Sequence, residues 1–168
     1  MNTASVEKLR NVPGGPMSEN EAGFCQSLRL LIQAVIEGRV PFNVAMRQAA
    51  DDLLQVRSHD LSLDSAIASG HKLWVESLVD HFSAAPPRVA VSAADLEFLK
   101  DLDAILDFAL RNGLTFNSVL LFIMHDIPTI AKYGSVQEAA DKDFFTPKLK
   151  GWAQTNIDEV GDVIESSG

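Results

Sequence analysis

The sequence predicts an all-α protein, a single-domain bundle of six to seven helices around a central apolar helix at about 115–127. Three observations carry this. Apolar residues recur at three- and four-residue spacing through most of the chain. Serine, threonine or proline stands where these patterns begin, and glycine where they stop. Finally, Val119 to Met124 is an unbroken apolar run. On a helix such a run points in every direction and needs cover on all sides. A strand competes for so short a run, but Leu120, Leu121 and Met124 favour helix and the flanking segments are helical. Leu121 is therefore expected in the core, where a charge would unfold the protein.

Taken in order, residues 1–17 form a flexible N-terminal arm, because Val12-Pro-Gly-Gly-Pro16 suits neither helix nor ladder. The domain then covers 18–165. Ser18-Glu-Asn-Glu21 has the form of a capping box. It opens a helix with Phe24, Leu28, Leu31 and Val35 in one stripe, stopped at Gly38. Pro41 suits the first turn of a second helix, whose inner face holds Phe42, Met46, Ala49, Leu53 and Val56. A third is predicted from Leu63 to Phe82, with Ile67, Trp74 and Leu78 in its stripe and His71 and His81 on the same side. Ala84-Ala-Pro-Pro-Arg88 breaks the chain, so a hinge or boundary, if there is one, falls at 84–91. Ser92 caps a strongly amphipathic helix that ends at Asn112-Gly113. The central apolar helix follows, and these two are expected to pack as a hairpin at the centre of the fold. Pro128 should end or kink the central helix. Ser135 opens a short helix, and Thr146-Pro147 a last one through Trp152, Ile157, Val160 and Ile164. No repeat of fixed period is evident.

Composition narrows the function. The formal charge is −9 over 168 residues. Residues 1–90 carry 8 Lys/Arg against 10 Asp/Glu, and residues 91–168 carry 6 against 13. A surface so acidic repels nucleic-acid backbones and anionic membranes, and it suits a basic protein partner. One cysteine, Cys25, excludes an internal disulfide and any paired-cysteine zinc or redox site. With no apolar leader after Met1, the expectation is a cytoplasmic protein. A homodimer is compatible with the sequence, and no cofactor is expected.

Two places could carry function. Asp95, Glu97, Asp101, Asp103 and Asp107 crowd one helix, and Phe108 projects from the polar side of its helical wheel. Asp103, Asp107 and Phe108 are the partner-binding candidates, carboxylates to steer a basic surface and a phenyl ring to hold it. The second place is Phe122-Ile-Met-His125-Asp126-Ile127. An adjacent His-Asp on a buried helix resembles the core of HD-domain metal phosphohydrolases. That resemblance implies that His125 and Asp126 ligate a metal which activates water against a phosphate ester. It also implies an earlier histidine, His71 or His81, and a later aspartate, Asp141 or Asp143. The Gly-Lys that often follows the pair is replaced by Pro128-Thr129. No glycine-rich phosphate loop, GxSxG elbow or EF-hand loop is present. The sequence therefore favours a non-enzymatic protein–protein interaction module, with regulatory, adaptor or inhibitor-like action. The HD-like phosphohydrolase is the alternative.

Overall fold

Most of the helices start where a side chain accepts from their first amides; the one that follows Pro41 starts without such a cap. The computed structural model describes residues 17–82 and 84–153. The predicted arm at 1–16, and Ile157, Val160 and Ile164 of the last predicted helix, lie outside them. The elements are α1 (Glu19–Ile36), α2 (Phe42–Ser58), α3 (Leu63–Ala68), α4 (Trp74–Phe82), α5 (Ala93–Asn112), α6 (Phe116–Tyr133) and α7 (Val136–Asp143). A further helix, α8, begins at 148 and is described to 153. There is no strand among the described residues, and no helix long and apolar enough to cross a membrane. The Ser18–Glu21 capping box forms as expected. Ser92, Thr115 and Ser135 accept hydrogen bonds from the amides of Asp95, Ser118 and Glu138 and open α5, α6 and α7. Gly113 and Gly134, both left-handed, close α5 and α6.

The helices form two similar halves. A shift of 74 residues carries Asp52 onto Asp126, α1 onto α5, α2 onto α6 and α4 onto α8. The buried positions of α1, from Phe24 and Leu28 to Val35, become Phe98, Leu102 and Ala109 on α5, all buried. Those of α2, from Phe42 and Met46 to Val56, become Phe116, Leu120 and Ile130 on α6. Between the halves, α1 packs on α5 and α2 on α6, so each helix meets its own counterpart. The contacts are reciprocal. Phe24 meets Phe116 edge-on with centroids 6.1 Å apart, and Phe42 meets Phe98 at 6.5 Å. Each of these pairs is the other under the shift. Arg29 pairs with Asp103, its own counterpart, at 2.8 Å. Reciprocal contact of this kind is the pattern of a two-fold interface. One hydrophobic core runs through both halves.

This arrangement corrects several expectations. The main partner of α6 is α2, and the α5–α6 hairpin is a minor contact. The apolar run on α6 is not covered all round: Val119 and Ile123 are fully buried, but Leu121 is 53% exposed. Helix α6 does not end at Pro128 and continues to Tyr133, with Ile127 and Ile130 on either side of the proline fully buried. The predicted Leu63–Phe82 helix is two helices, because Gly70 takes a φ of +102° and Asp52 supplies a separate start for α4. As a result His81 and Trp74 lie exposed rather than on an inner stripe.

The segment 84–91, where one half gives way to the other, is strapped to the α1–α2 turn. The Arg88 and Val89 amides donate to the Gly38 carbonyl at 2.9 and 3.1 Å, and the Arg39 guanidinium donates to the Ala85 carbonyl. A Cβ at Gly38 would sit 2.6 Å from the Val89 oxygen, so only glycine fits beneath the strap.

Neighbouring α6 positions are expected to respond oppositely to a charge. Ile123→Asp should unfold the protein, since an unpaired charge would be buried. Leu121→Asp should change stability by no more than about 0.5 kcal/mol. Chemical denaturation of the two variants checks this, and equal loss in both would return Leu121 to the core.

Candidate functional site

Asp126 is completely buried and performs a structural task. Its Oδ1 accepts the Lys148 amide at 2.8 Å and its Oδ2 the Leu149 amide at 2.9 Å, which caps the start of α8. His125 Nδ1 lies 2.7 Å from Oδ1, and its ring stacks on Phe145 with centroids 5.6 Å apart. The first half contains the same device. Asp52, also fully buried, accepts the Trp74 amide at 2.8 Å and the Val75 amide at 2.9 Å, capping α4. There His71 Nε2 is the imidazole partner, at 2.9 Å. Burial raises the Asp52 pKa above the ordinary aspartate value, while the two amides and His71 draw it back.

The HD-like metal reading therefore loses its geometry. The carboxylate meant for a metal is spent on backbone amides, and no three His, Cys, Asp or Glu side chains among the described residues converge to hold an ion. His71 and His125 sit in different halves, each beside its own capping aspartate. His81 is exposed, with its ring against Phe82. Cys25 is buried, and burial pushes its thiol up to about 12, which removes it as a nucleophile.

The predicted partner surface also changes. Phe108 is only 3% exposed and packs edge-on against Trp152 at 6.0 Å, because α8 covers the side of α5 that the helical wheel assigns to solvent. Asp103 and Asp107 both bind Arg29, at 2.8 and 3.1 Å, and Asp107 also binds Arg111 at 3.0 Å. These carboxylates are largely neutralised within the chain. Asp95, buried too, accepts the Val136 amide at 2.9 Å and so fixes the start of α7.

Two acids of this helix, Glu97 and Asp101, accept no hydrogen bond among the described residues, and Asp101 is the less exposed of them. Asp101 is 8% exposed and lines a cleft of about 340 Å³ between α5, α7 and the 144–147 loop that leads into α8. No hydrogen bond to its carboxylate is made among the described residues. Glu97, one turn earlier, stands at the cleft with Lys150, whose Nζ is 4.0 Å from Glu97 Oε1. Phe98, Val136, Phe145 and Pro147 supply apolar walls. Burial, and then the neighbouring Glu97 charge, push Asp101 up to about 6, with Lys150 opposing them. Next to the cleft, Phe144 takes a left-handed φ of 51° and is 94% exposed. Asp101 belongs to the acidic face visible in the sequence, but only the packing of α7 and α8 separates it from its neighbours.

Two outcomes are expected. Asp52→Ala and Asp126→Ala should each cost roughly 2–4 kcal/mol, since each strands two buried amides. A chelator should leave the melting temperature unchanged; a metal centre would instead make Asp126 alone sensitive and bring chelator dependence. For Asp101 the folded pKa lies above the unfolded one, so the charged form destabilises the fold. That cost is absent at low pH and complete above about pH 6. Asp101→Asn should therefore stabilise the protein at pH 7.5, by about 1 kcal/mol once solvent screening in the open cleft is allowed for, and the gain should shrink as pH falls towards 4. Denaturation curves across pH test this, and a gain independent of pH would contradict it. Compared with protein-family models, with curated proteins and with solved structures, the chain matches none.

Proposed function

We propose that the protein is a non-catalytic protein–protein interaction module, of the regulatory, adaptor or inhibitor kind, whose acidic second half receives a basic partner. The observation that supports this most directly is Asp101, a residue 8% exposed whose carboxylate lines an open cleft and accepts no hydrogen bond among the described residues. Partial desolvation and the neighbouring Glu97 charge disfavour its ionised form, and an external cation in the cleft would offset both. Phe144 adds an apolar group held out in solvent by the loop whose next three residues line the same cleft. Net negative charge after residue 90 would speed encounter with a basic surface, and a phenyl ring would slow its departure. The surface thus moves from Asp103, Asp107 and Phe108 to Glu97, Asp101 and Phe144. A cytoplasmic setting belongs to the same proposal.

The immobilised chain should retain a basic protein from a lysate, with association that slows as salt rises. Asp101→Asn and Phe144→Ala should both lose it while keeping wild-type melting behaviour or better. A set of retained proteins identical for all three chains would remove the cleft from the interface.

A further inference from the structure

We infer that the cleft is a socket for one arginine side chain of the partner, with Asp101 as its anchoring carboxylate. This rests on the interaction reading above and names the chemistry that would be recognised. The volume, about 340 Å³, is at the small end of ligand sites and suits a side chain better than a larger molecule. Asp101 and Glu97 are one helical turn apart on the same face of α5, so both carboxylates border a single space. A guanidinium carries five N–H donors in a planar fork and can bond two carboxylates together; an ammonium is a point charge and cannot match that geometry. The walls favour arginine as well. Phe98 and Phe145 line the cleft, and the weakly hydrated guanidinium tolerates aromatic surroundings better than a lysine head does.

Lys150 is the internal rival. Its side chain is 44% exposed and reaches Glu97 only at 4.0 Å, too far for a good hydrogen bond, and it makes no ion pair with Asp101 within that distance. An incoming guanidinium would take the Asp101 carboxylate and leave Lys150 free to turn towards solvent. The remaining charges on the surrounding elements do not compete. Asp95 is committed to the Val136 amide, and Lys142 on α7 pairs with Glu138 at 3.2 Å.

The test uses the full chain and small probes. N-acetyl-arginine amide is titrated into uniformly ¹³C- and ¹⁵N-labelled protein, with N-acetyl-lysine amide and the neutral isostere N-acetyl-citrulline amide alongside. The arginine probe is expected to shift the resonances of Glu97, Phe98, Val136 and Lys150 and to lower the measured Asp101 pKa by about one unit. Lysine should act more weakly and citrulline not at all. Asp101→Asn should abolish the response, and Lys150→Met should tighten binding about five-fold, since a competing charge is gone. An arginine probe that leaves Asp101 untouched in both the wild-type and Lys150→Met chains overturns the socket, even if a basic partner still depends on Asp101 and Phe144. Equal binding of arginine and citrulline overturns it too. Asp101-dependent arginine binding with no basic partner retained would support the socket and overturn a partner protein as its source.

Discussion

Two buried aspartates hold this fold together, one in each half and both in the same role. Helices α4 and α8 each begin without a cap of their own, and a helix start leaves amides that must find acceptors. Asp52 and Asp126 reach across from α2 and α6 to supply them. Each carboxylate is fully buried, so it is affordable only because two amides and an imidazole surround it. The bond fixes where the fourth helix of a half starts, and with it the packing of the aliphatic residues that follow. Val75 and Leu149, both fully buried, come directly under this control.

The two halves then meet as the subunits of a dimer would. In a true homodimer the residue nearest a two-fold axis faces its own copy, so a charged one faces a like charge. Here the counterparts differ: Arg29 faces Asp103, and Asp107 adds a second acceptor. Arg29 is about one-third exposed, so the pair contributes modestly to stability. Its larger effect is on specificity. An arginine half meets an aspartate half well and meets its own kind badly, which favours pairing within one chain. The reciprocal Phe24–Phe116 and Phe42–Phe98 contacts supply the apolar part of the same interface.

Local chemistry made the helices legible in the sequence. The Ser18–Glu21 box, Ser92, Ser135, Gly113 and Gly134 act through residues within one turn, so reading them needs no tertiary knowledge. The repeat was not legible because core positions exchange size between the halves. Ala34 becomes Phe108, Ala49 becomes Ile123 and Cys25 becomes Leu99, all of them buried. Identity survives at scattered positions such as Phe24 and Phe98, Phe42 and Phe116, Asp52 and Asp126. Phe108 was assigned to solvent for a related reason. A helical wheel knows one buried face, and α5 has two, the second made by Trp152 on α8. The alternative metal-site reading of His125-Asp126 arises because a capping aspartate and a metal-binding one are the same residue in sequence, and only the Lys148 and Leu149 amides distinguish them.

The candidate site lies where the halves stop matching. Asn20 occupies, in the first half, the place that Ala94 holds in the second, and Asp64 is the second residue of α3 as Gln137 is of α7, where the offset between the halves is 73 residues. There the side chains bond to each other at 2.7 Å, and Ser18 bonds the same carboxylate at 2.7 Å, which closes that corner with internal hydrogen bonds. In the second half Ala94 and Gln137 border an open cleft instead. Behind it, Gly23 and Ser27 have become Glu97 and Asp101, and Glu76 has become Lys150. None of these exchanges touches a capping aspartate or an interface phenylalanine, so the scaffold is indifferent to them. A frame of two similar halves can hold its shape through one half's closed corner and the shared core, while the other half carries a carboxylate without a hydrogen bond that a lone four-helix unit, with less buried surface, would tolerate less well.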